Sequence, residues 1–85
     1  MNPYEIVFHP FVTEKSMMLM EKDNSLQFAV SMKANKRQIK EALEEMFGIK
    51  VVKVTTRIGK NGKIAVAKLS PEYMAEDIGM RIGIF

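Results

Sequence analysis

Residues 35–48 read NKRQIKEALEEMFG, and this stretch determines how the rest of the chain must fold. Its apolar residues follow the spacing i, i+3, i+4, i+7 and i+8: Ile39, Ala42, Leu43, Met46 and Phe47. That spacing is typical of one face of an α-helix. Asn35 with Gln38 resembles a capping box, and Gly48 stands where a helix often ends in a left-handed residue. The stretch therefore predicts an amphipathic helix that packs through one face.

Strand signals lie on both sides of this central helix. Before it, Leu26, Phe28 and Val30 alternate with polar or small residues, which indicates a strand with one buried face. After it, we predict a strand over 49–58 and a return strand over 63–69. Gly59 to Gly62 join the two strands, and the pair Asn61-Gly62 favours a tight hairpin turn.

Alternation also predicts how the residues of the strand 49–58 divide between its two faces. One face carries Val52, Val54 and Ile58. The opposite face carries Val51, Lys53, Thr55 and Arg57.

The two ends of the chain complete the predicted elements. Tyr4 to Phe8 suggest a short edge strand closed by His9 and Pro10. Thr13 can cap a helix that runs to about Lys22, and Ser70 with Pro71 can open a last helix that runs to about Arg81. The order is then strand, helix, strand, helix, strand, strand, helix.

This order predicts an α+β fold with a small antiparallel or mixed four-stranded sheet and helices packed on it. The strands before and after the central helix would be parallel, with another strand possible between them, as in the split β-α-β units of a ferredoxin-like plait. At 85 residues, we expect one domain over 1–85.

Composition limits the functions open to this domain. With no cysteine and one histidine, the chain has no thiol nucleophile and no His-rich or thiolate metal site, so we expect no enzyme activity, metal or cofactor. Apolar runs such as Met17 to Met20 are far too short for a membrane span, and Met1 to Pro10 do not resemble a secretory signal. We expect a cytoplasmic protein.

Charge is strongly segregated along the chain. Ten basic and three acidic residues leave the segment from Lys33 to Lys68 at +7, whereas the net charge of the whole chain is only +3.

Lys36, Arg37 and Lys40 occupy the amino end of the central helix, where the helix dipole disfavours cations by about 0.3–1 kcal/mol each. A phosphate near Asn35 would meet these cations and the free helix N–H groups together. The alternative is a solvated surface with pairs such as Lys40 with Glu44.

The predicted hairpin forms a second basic element. Lys53, Thr55 and Arg57 share one strand face, and Lys60 and Lys63 flank the turn, so this ribbon could follow a nucleic-acid backbone. Lysines there could equally serve to discourage edge pairing of the sheet. The strands lack the paired aromatic residues that stack bases in RNA-recognition motifs, which favours structured RNA over a single strand.

Four ordered blocks resemble the large-subunit ribosomal protein L23 family over nearly the whole chain. They are His9-Pro10 with Thr13-Glu14-Lys15-Ser16; Ala34-Asn35-Lys36 with Ile39-Lys40 and Ala42; Val51 to Thr56 leading into Gly59-Lys60; and Asp77-Ile78 with Arg81-Ile82-Gly83. The Thr-Glu-Lys-Ser and Ala-Asn-Lys blocks at this separation are the most specific. The short hairpin turn and the lack of a basic amino-terminal extension are most similar to the archaeal type.

The resemblance implies an rRNA-binding structural protein at the rim of the polypeptide exit tunnel. It implies contacts with the third domain of large-subunit rRNA, with neighbouring large-subunit proteins, and with the signal recognition particle and the translocon. It also implies that Val12, Thr13 and Glu14 form a protein-docking patch. The candidate RNA contacts, from the charge pattern and the resemblance together, are Lys15, Lys33, Asn35, Lys36, Arg37, Lys40, Lys53, Thr55, Arg57, Lys60, Asn61 and Lys63. The competing hypothesis is a protein-binding adaptor of the same fold without RNA binding.

Overall fold

The computed structural model describes residues 2–60 and 62–83, which form four helices and four strands. None of the helices in these two ranges is long and apolar enough to span a membrane. In chain order the elements are α1 (Pro3–Ile6), β1 (Val7–Pro10), α2 (Glu14–Asp23), β2 (Ser25–Val30), α3 (Lys36–Phe47), β3 (Val51–Gly59), β4 (Gly62–Leu69) and α4 (Ala75–Arg81).

The strands form one antiparallel sheet in the order β1-β2-β4-β3. Because β4 pairs with both β2 and β3, those two strands run parallel to each other with β4 between them. Helix α3 is the crossover that joins them. This arrangement confirms the predicted α+β class and its split β-α-β unit.

The core lies between one face of the sheet and the helices. Ile39 and Leu43 of α3 are fully buried, as the helical spacing predicted. The rings of Phe28 in β2 and Phe47 at the end of α3 stack with their centroids 5.6 Å apart. Facing positions of β4 hold Ala65 and Ala67, whose small side chains leave room for these larger ones.

The predicted ends of α3 are confirmed in detail. The side chain of Asn35 accepts a hydrogen bond from the N–H of Gln38 at 2.8 Å, and the Gln38 side chain accepts one from the N–H of Asn35 at 3.0 Å. Gly48 ends the helix with φ +64°, the left-handed conformation that favours glycine. The predicted cap of α2, Thr13, forms the same kind of reciprocal box with Ser16.

The predicted strand over Tyr4 to Phe8 is wrong in its first half. Pro3–Ile6 form the short helix α1, which Asn2 and Glu5 start with a capping box of their own. Proline at the first helical position suits this turn. The strand is therefore confined to Val7–Pro10, and it does lie at the edge of the sheet.

The predicted division of β3 into two faces is wrong at its start, where Val51 lies with Val54 and Val52 does not. The pairing of β3 with β4 shifts register between Val51 and Lys53, as a β-bulge does. Val51 is therefore buried with Val54, whereas Val52 is 56% exposed. Ile58 keeps the predicted face but lies beyond the end of the core and is 70% exposed.

The last helix begins later than predicted, at Ala75 rather than at Pro71. The reason is a distant side chain at the end of α2. Asn24 donates to the carbonyl oxygen of Tyr73 at 2.8 Å and accepts from the N–H of Ala75 at 2.7 Å. Residues 71–73 are held as a turn, and Asn24 caps α4 from another part of the chain.

Candidate nucleic-acid interface

The amino end of α3 presents a group of exposed cations to solvent. Lys36, Arg37 and Lys40 are all exposed, as is the capping residue Asn35. The first N–H groups of a helix have no intrahelical acceptor and form the positive end of its dipole. Cations and backbone donors therefore meet at this end, which is a suitable environment for a phosphate group.

The acidic residues of α3 compensate these cations only weakly. Arg37 contacts Glu41 at 3.3 Å, but the two side chains are 87% and 65% exposed, so solvent screens the pair. The carboxylate of Glu44 instead accepts a hydrogen bond from the N–H of Val51 at 2.9 Å. In the described part of the chain, the alternative pairing of Lys40 with Glu44 is thus absent, and Lys40 keeps its charge on the surface.

A lysine of the hairpin joins the two basic elements. The Nζ atom of Lys63 donates to the carbonyl oxygen of Ala34 at 2.6 Å, directly before the cap of α3. Lys63 pairs with Val30 on one side and with Ile58 on the other, so its side chain emerges on the helix side of the sheet. The structure therefore places the hairpin turn and the amino end of α3 at the same end of the sheet. Lys63 itself is half-buried and acts first as a structural tie.

We call this end the helix-end surface. Besides Asn35 and the three α3 cations, it contains the exposed Lys33 in the preceding turn. Lys60 in the hairpin turn is also exposed, but it lines a pocket on the outer face of the sheet with Arg57 and Ile64. Asn61, which was predicted to contact RNA from the same turn, lies outside the described residues. The helix-end surface is therefore defined by Lys33, Asn35, Lys36, Arg37 and Lys40.

The other predicted contacts lie on the outer face of the sheet, away from the helices. Lys53, Thr55 and Arg57 pair with Lys68, Val66 and Ile64 of β4, and all six side chains point to this outer face. Lys53 and Thr55 lie toward the end of the hairpin that is opposite its turn. The structure thus divides the predicted RNA contacts between two surfaces, and it does not bring Lys53 or Thr55 to the helix-end surface.

Arg57 is the most constrained cation of the outer face. Its guanidinium carbon lies 5.7 Å from the centre of the Phe11 ring, a cation–π distance. Its Nη2 atom donates to the Oε1 atom of Gln27 at 3.3 Å. Neither Phe11 nor Gln27 was among the predicted site residues. The sequence does place Gln27 on the face opposite Phe28, but nothing in it connects that position with Arg57.

At the far end of the outer face, Lys53 and Lys68 are directly opposite each other. Like charges in that relation are unfavourable, and Asp23 relieves them by contacting Lys68 at 3.3 Å. Hydrogen bonds from Ser25 and then from Lys68 hold the pKa of the Asp23 carboxyl below its ordinary value of 3.8. Lys53 remains exposed beside this pair, at the rim of a shallow cleft that Thr55 also lines.

Comparison with known proteins identifies the family. Residues 5–75 match the family described as Ribosomal protein L23. The chain belongs to this family. It is 48% identical over its whole length to large ribosomal subunit protein uL23 of Methanobrevibacter smithii, and 44% identical over its whole length to that of Methanothermobacter thermautotrophicus. The protein of the same name from Picrophilus torridus is 44% identical over 95% of this chain and 99% of its own.

Membership of the L23 family confirms the resemblance carried by the four sequence blocks, including its archaeal type. The blocks fall on identifiable structural parts. Thr13 and Ser16 form the cap of α2, and Asn35 forms the cap of α3. Much of what makes those blocks specific is therefore helix-starting chemistry.

The remaining predicted residues of this L23-family chain precede and begin α2. Val12 is 49% exposed, Glu14 and Lys15 are exposed in the first turn, and the Thr13 side chain accepts from the N–H of Ser16 at 3.0 Å. The predicted docking patch of Val12, Thr13 and Glu14 is thus one exposed apolar side chain beside a capped, acidic helix start. Lys15 lies on this element and not on α3 or the hairpin.

Proposed function

We propose that this protein is a structural constituent of the large ribosomal subunit that binds large-subunit rRNA as a single domain over residues 1–85. It would act in the cytoplasm, in the third rRNA domain near the polypeptide exit tunnel, without a catalytic role. Its partners would be that rRNA and the neighbouring large-subunit proteins. The observation that carries the proposal is the helix-end surface, where the Lys63–Ala34 hydrogen bond joins two basic segments distant in sequence.

Binding would proceed mainly through phosphates. One phosphate would accept hydrogen bonds at the amino end of α3, where the dipole and the exposed Lys36 and Arg37 act in the same direction. Lys33 would extend this contact along the backbone of the same RNA helix. Lys53 and Thr55 would contact a second segment across the outer face of the sheet. Contacts of this kind recognise the shape of folded RNA and leave its base sequence largely unread.

The start of α2 would serve a separate role in protein docking. Val12 gives an exposed apolar contact, and the capped first turn carries Glu14 with its carboxylate in solvent. We assign the signal recognition particle and the translocon to this patch on the family resemblance. Lys15, on the following position, would contact rRNA at the edge of the same patch.

Sedimentation with large subunits and binding to a third-domain rRNA fragment test the proposal. The protein should travel with large subunits and leave them in high salt, because phosphate contacts release counterions. The double variant Lys36→Glu with Arg37→Glu should lose most of its affinity for the fragment. The matched control, Lys22→Glu with Lys50→Glu, makes the same change in net charge at exposed positions away from the amino end of α3.

An equal loss of affinity in both double variants would show that the effect comes from net charge alone. It would refute the assignment of a phosphate contact to the amino end of α3. Absence of RNA retention altogether would favour the protein-binding adaptor of the same fold, whose lysines only keep it in solution.

A further inference from the structure

A small pocket lies on the outer face of the sheet at the hairpin end. It measures about 250 Å³ and is lined by Phe11, Arg57, Gly59, Lys60, Gly62 and Ile64. The Ile64 side chain is only 7% exposed and supplies an apolar floor. The pocket thus combines an apolar floor, an aromatic ring, a guanidinium plane and an ammonium group at the rim.

Arg57 is fixed as a wall of this pocket. Its guanidinium group lies over the Phe11 ring at 5.7 Å and donates to Oε1 of Gln27 at 3.3 Å. The Arg57 side chain, although exposed, is therefore positioned by two contacts. Aromatic rings and arginine guanidinium planes are the surfaces on which proteins stack unpaired RNA bases.

The burial of Gln27 indicates that the position of Arg57 serves a function. Gln27 is 2% exposed, and in the described part of the chain its Nε2 atom has no hydrogen-bond partner. A buried donor without an acceptor costs stability, and an apolar side chain at this position would avoid that cost. What the amide supplies is the acceptor Oε1 that holds Arg57. Gln27 is therefore a positioning residue for the pocket.

We propose that this pocket binds one unpaired base of the RNA, stacked on the face of the Arg57 guanidinium that points away from Phe11, above Ile64. The adjoining phosphate would contact Lys60 at the rim. The absence of side chains at Gly59 and Gly62 lets the RNA backbone approach the hairpin turn. This inference rests on the proposed rRNA binding and adds to it a single point of base contact on a surface that otherwise contacts phosphates.

Affinity and chemical probing of the third-domain rRNA fragment test the pocket. The variants Phe11→Leu, Arg57→Lys and Gln27→Met should each bind the fragment about tenfold more weakly, as expected for loss of one stacked base. Arg57→Lys keeps its charge, so the dependence of affinity on salt should be unchanged. Probing of base edges should show one unpaired base that is protected by the wild type and reactive with the variants, while other protections remain.

Matched controls keep the result specific. Phe8→Leu makes the same change at an exposed aromatic position, and Arg81→Lys makes the same change at an exposed arginine of α4; both should bind like the wild type. Pocket variants that equal the wild type in affinity and in protection would overturn the proposal.

A second probe separates this proposal from the proposed function. Titration with adenosine or uridine monophosphate, followed by NMR, should give saturable shifts at Phe11, Arg57 and Ile64 in the wild type and not in Arg57→Lys. If the fragment does not bind but these shifts appear, the rRNA assignment fails and the base pocket stands. If the fragment binds but the shifts are absent, the base pocket fails and the rRNA assignment stands.

Discussion

The Nζ atom of Lys63 lies 2.6 Å from the carbonyl oxygen of Ala34, although the two residues are 29 positions apart in the chain. Lys63 was predicted from the sequence to be an RNA contact, but in the structure its ammonium group forms this internal hydrogen bond. The bond also connects β4 with the start of α3, because Lys63 is the second residue of β4 and Ala34 directly precedes the cap of α3. The position of the helix-end surface therefore depends on a lysine that is itself half-buried.

Replacing Lys63 should lower the stability of the fold. Lys63→Met keeps the length of the aliphatic chain and removes the donor, which leaves a part-buried carbonyl unpaired; we expect a loss of about 1 kcal/mol in the free energy of unfolding. Urea denaturation gives the value. Lys60→Met is the matched control at the exposed turn and should change stability by less than about 0.5 kcal/mol. Equal stability of the two variants would show that the Lys63–Ala34 bond contributes nothing.

Asn35 allows stability and binding to be separated. In Asn35→Asp the side chain can still accept from the N–H of Gln38, and its negative charge suits the amino end of a helix, so stability should be kept or raised by up to about 1 kcal/mol. The same charge would repel a phosphate at this position, and the affinity for the rRNA fragment should fall about tenfold. Urea denaturation and filter binding measure the two quantities.

Asn35→Ala provides the reverse control for the same position. It removes the cap and should cost about 1 kcal/mol of stability, but it adds no repulsion toward a phosphate. Undiminished RNA affinity in Asn35→Asp would exclude a phosphate from the amino end of α3.

Gln27 should show the same trade-off, in which a variant gains stability and loses RNA binding. Gln27→Met fills nearly the same volume and removes the unpaired Nε2 donor, so the variant should be more stable than the wild type by about 1 kcal/mol. Thermal and urea denaturation test this. Gln27→Glu, the control of equal size, would bury a carboxylate and should be destabilised. A destabilised Gln27→Met would mean that the amide contributes more through Oε1 than it loses through Nε2.

Elements whose signals are local could be predicted from the sequence. The face, the cap and the end of α3 depend on residues within 14 positions of one another, and the structure confirms all three. The start of α4 could not be predicted in this way, because Asn24, which fixes it, is 51 positions from Ala75. The bulge at Val52 was missed for a related reason, since strict alternation does not reveal where a strand gains an extra residue.

In the candidate site, too, features with local signals could be predicted and features that depend on distant residues could not. The charges of Lys36, Arg37 and Lys40 are visible in the sequence, and so is their place on a helix end. Their separation from Lys53 and Thr55 is not, because it depends on which face of the sheet α3 covers. The contact of Arg57 with Phe11 and Gln27 depends on pairing between three strands and needed the fold itself.

Asp23 predicts how stability changes in acid. Its folded-state pKa is lowered by the hydrogen bonds from Ser25 and Lys68, so the carboxylate favours the folded state at any pH above its unfolded value of about 3.8. As pH falls below that value the unfolded chain takes up the proton first, and the stabilisation disappears as pH passes the lowered folded-state pKa. Denaturant unfolding between about pH 2 and 7 should therefore show a decline of wild-type stability that is shallower in Asp23→Asn. Glu21→Gln removes an exposed carboxylate from the same helix and controls for net charge. Parallel pH curves for the wild type and Asp23→Asn would show that the contacts of Asp23 with Ser25 and Lys68 do not persist in solution.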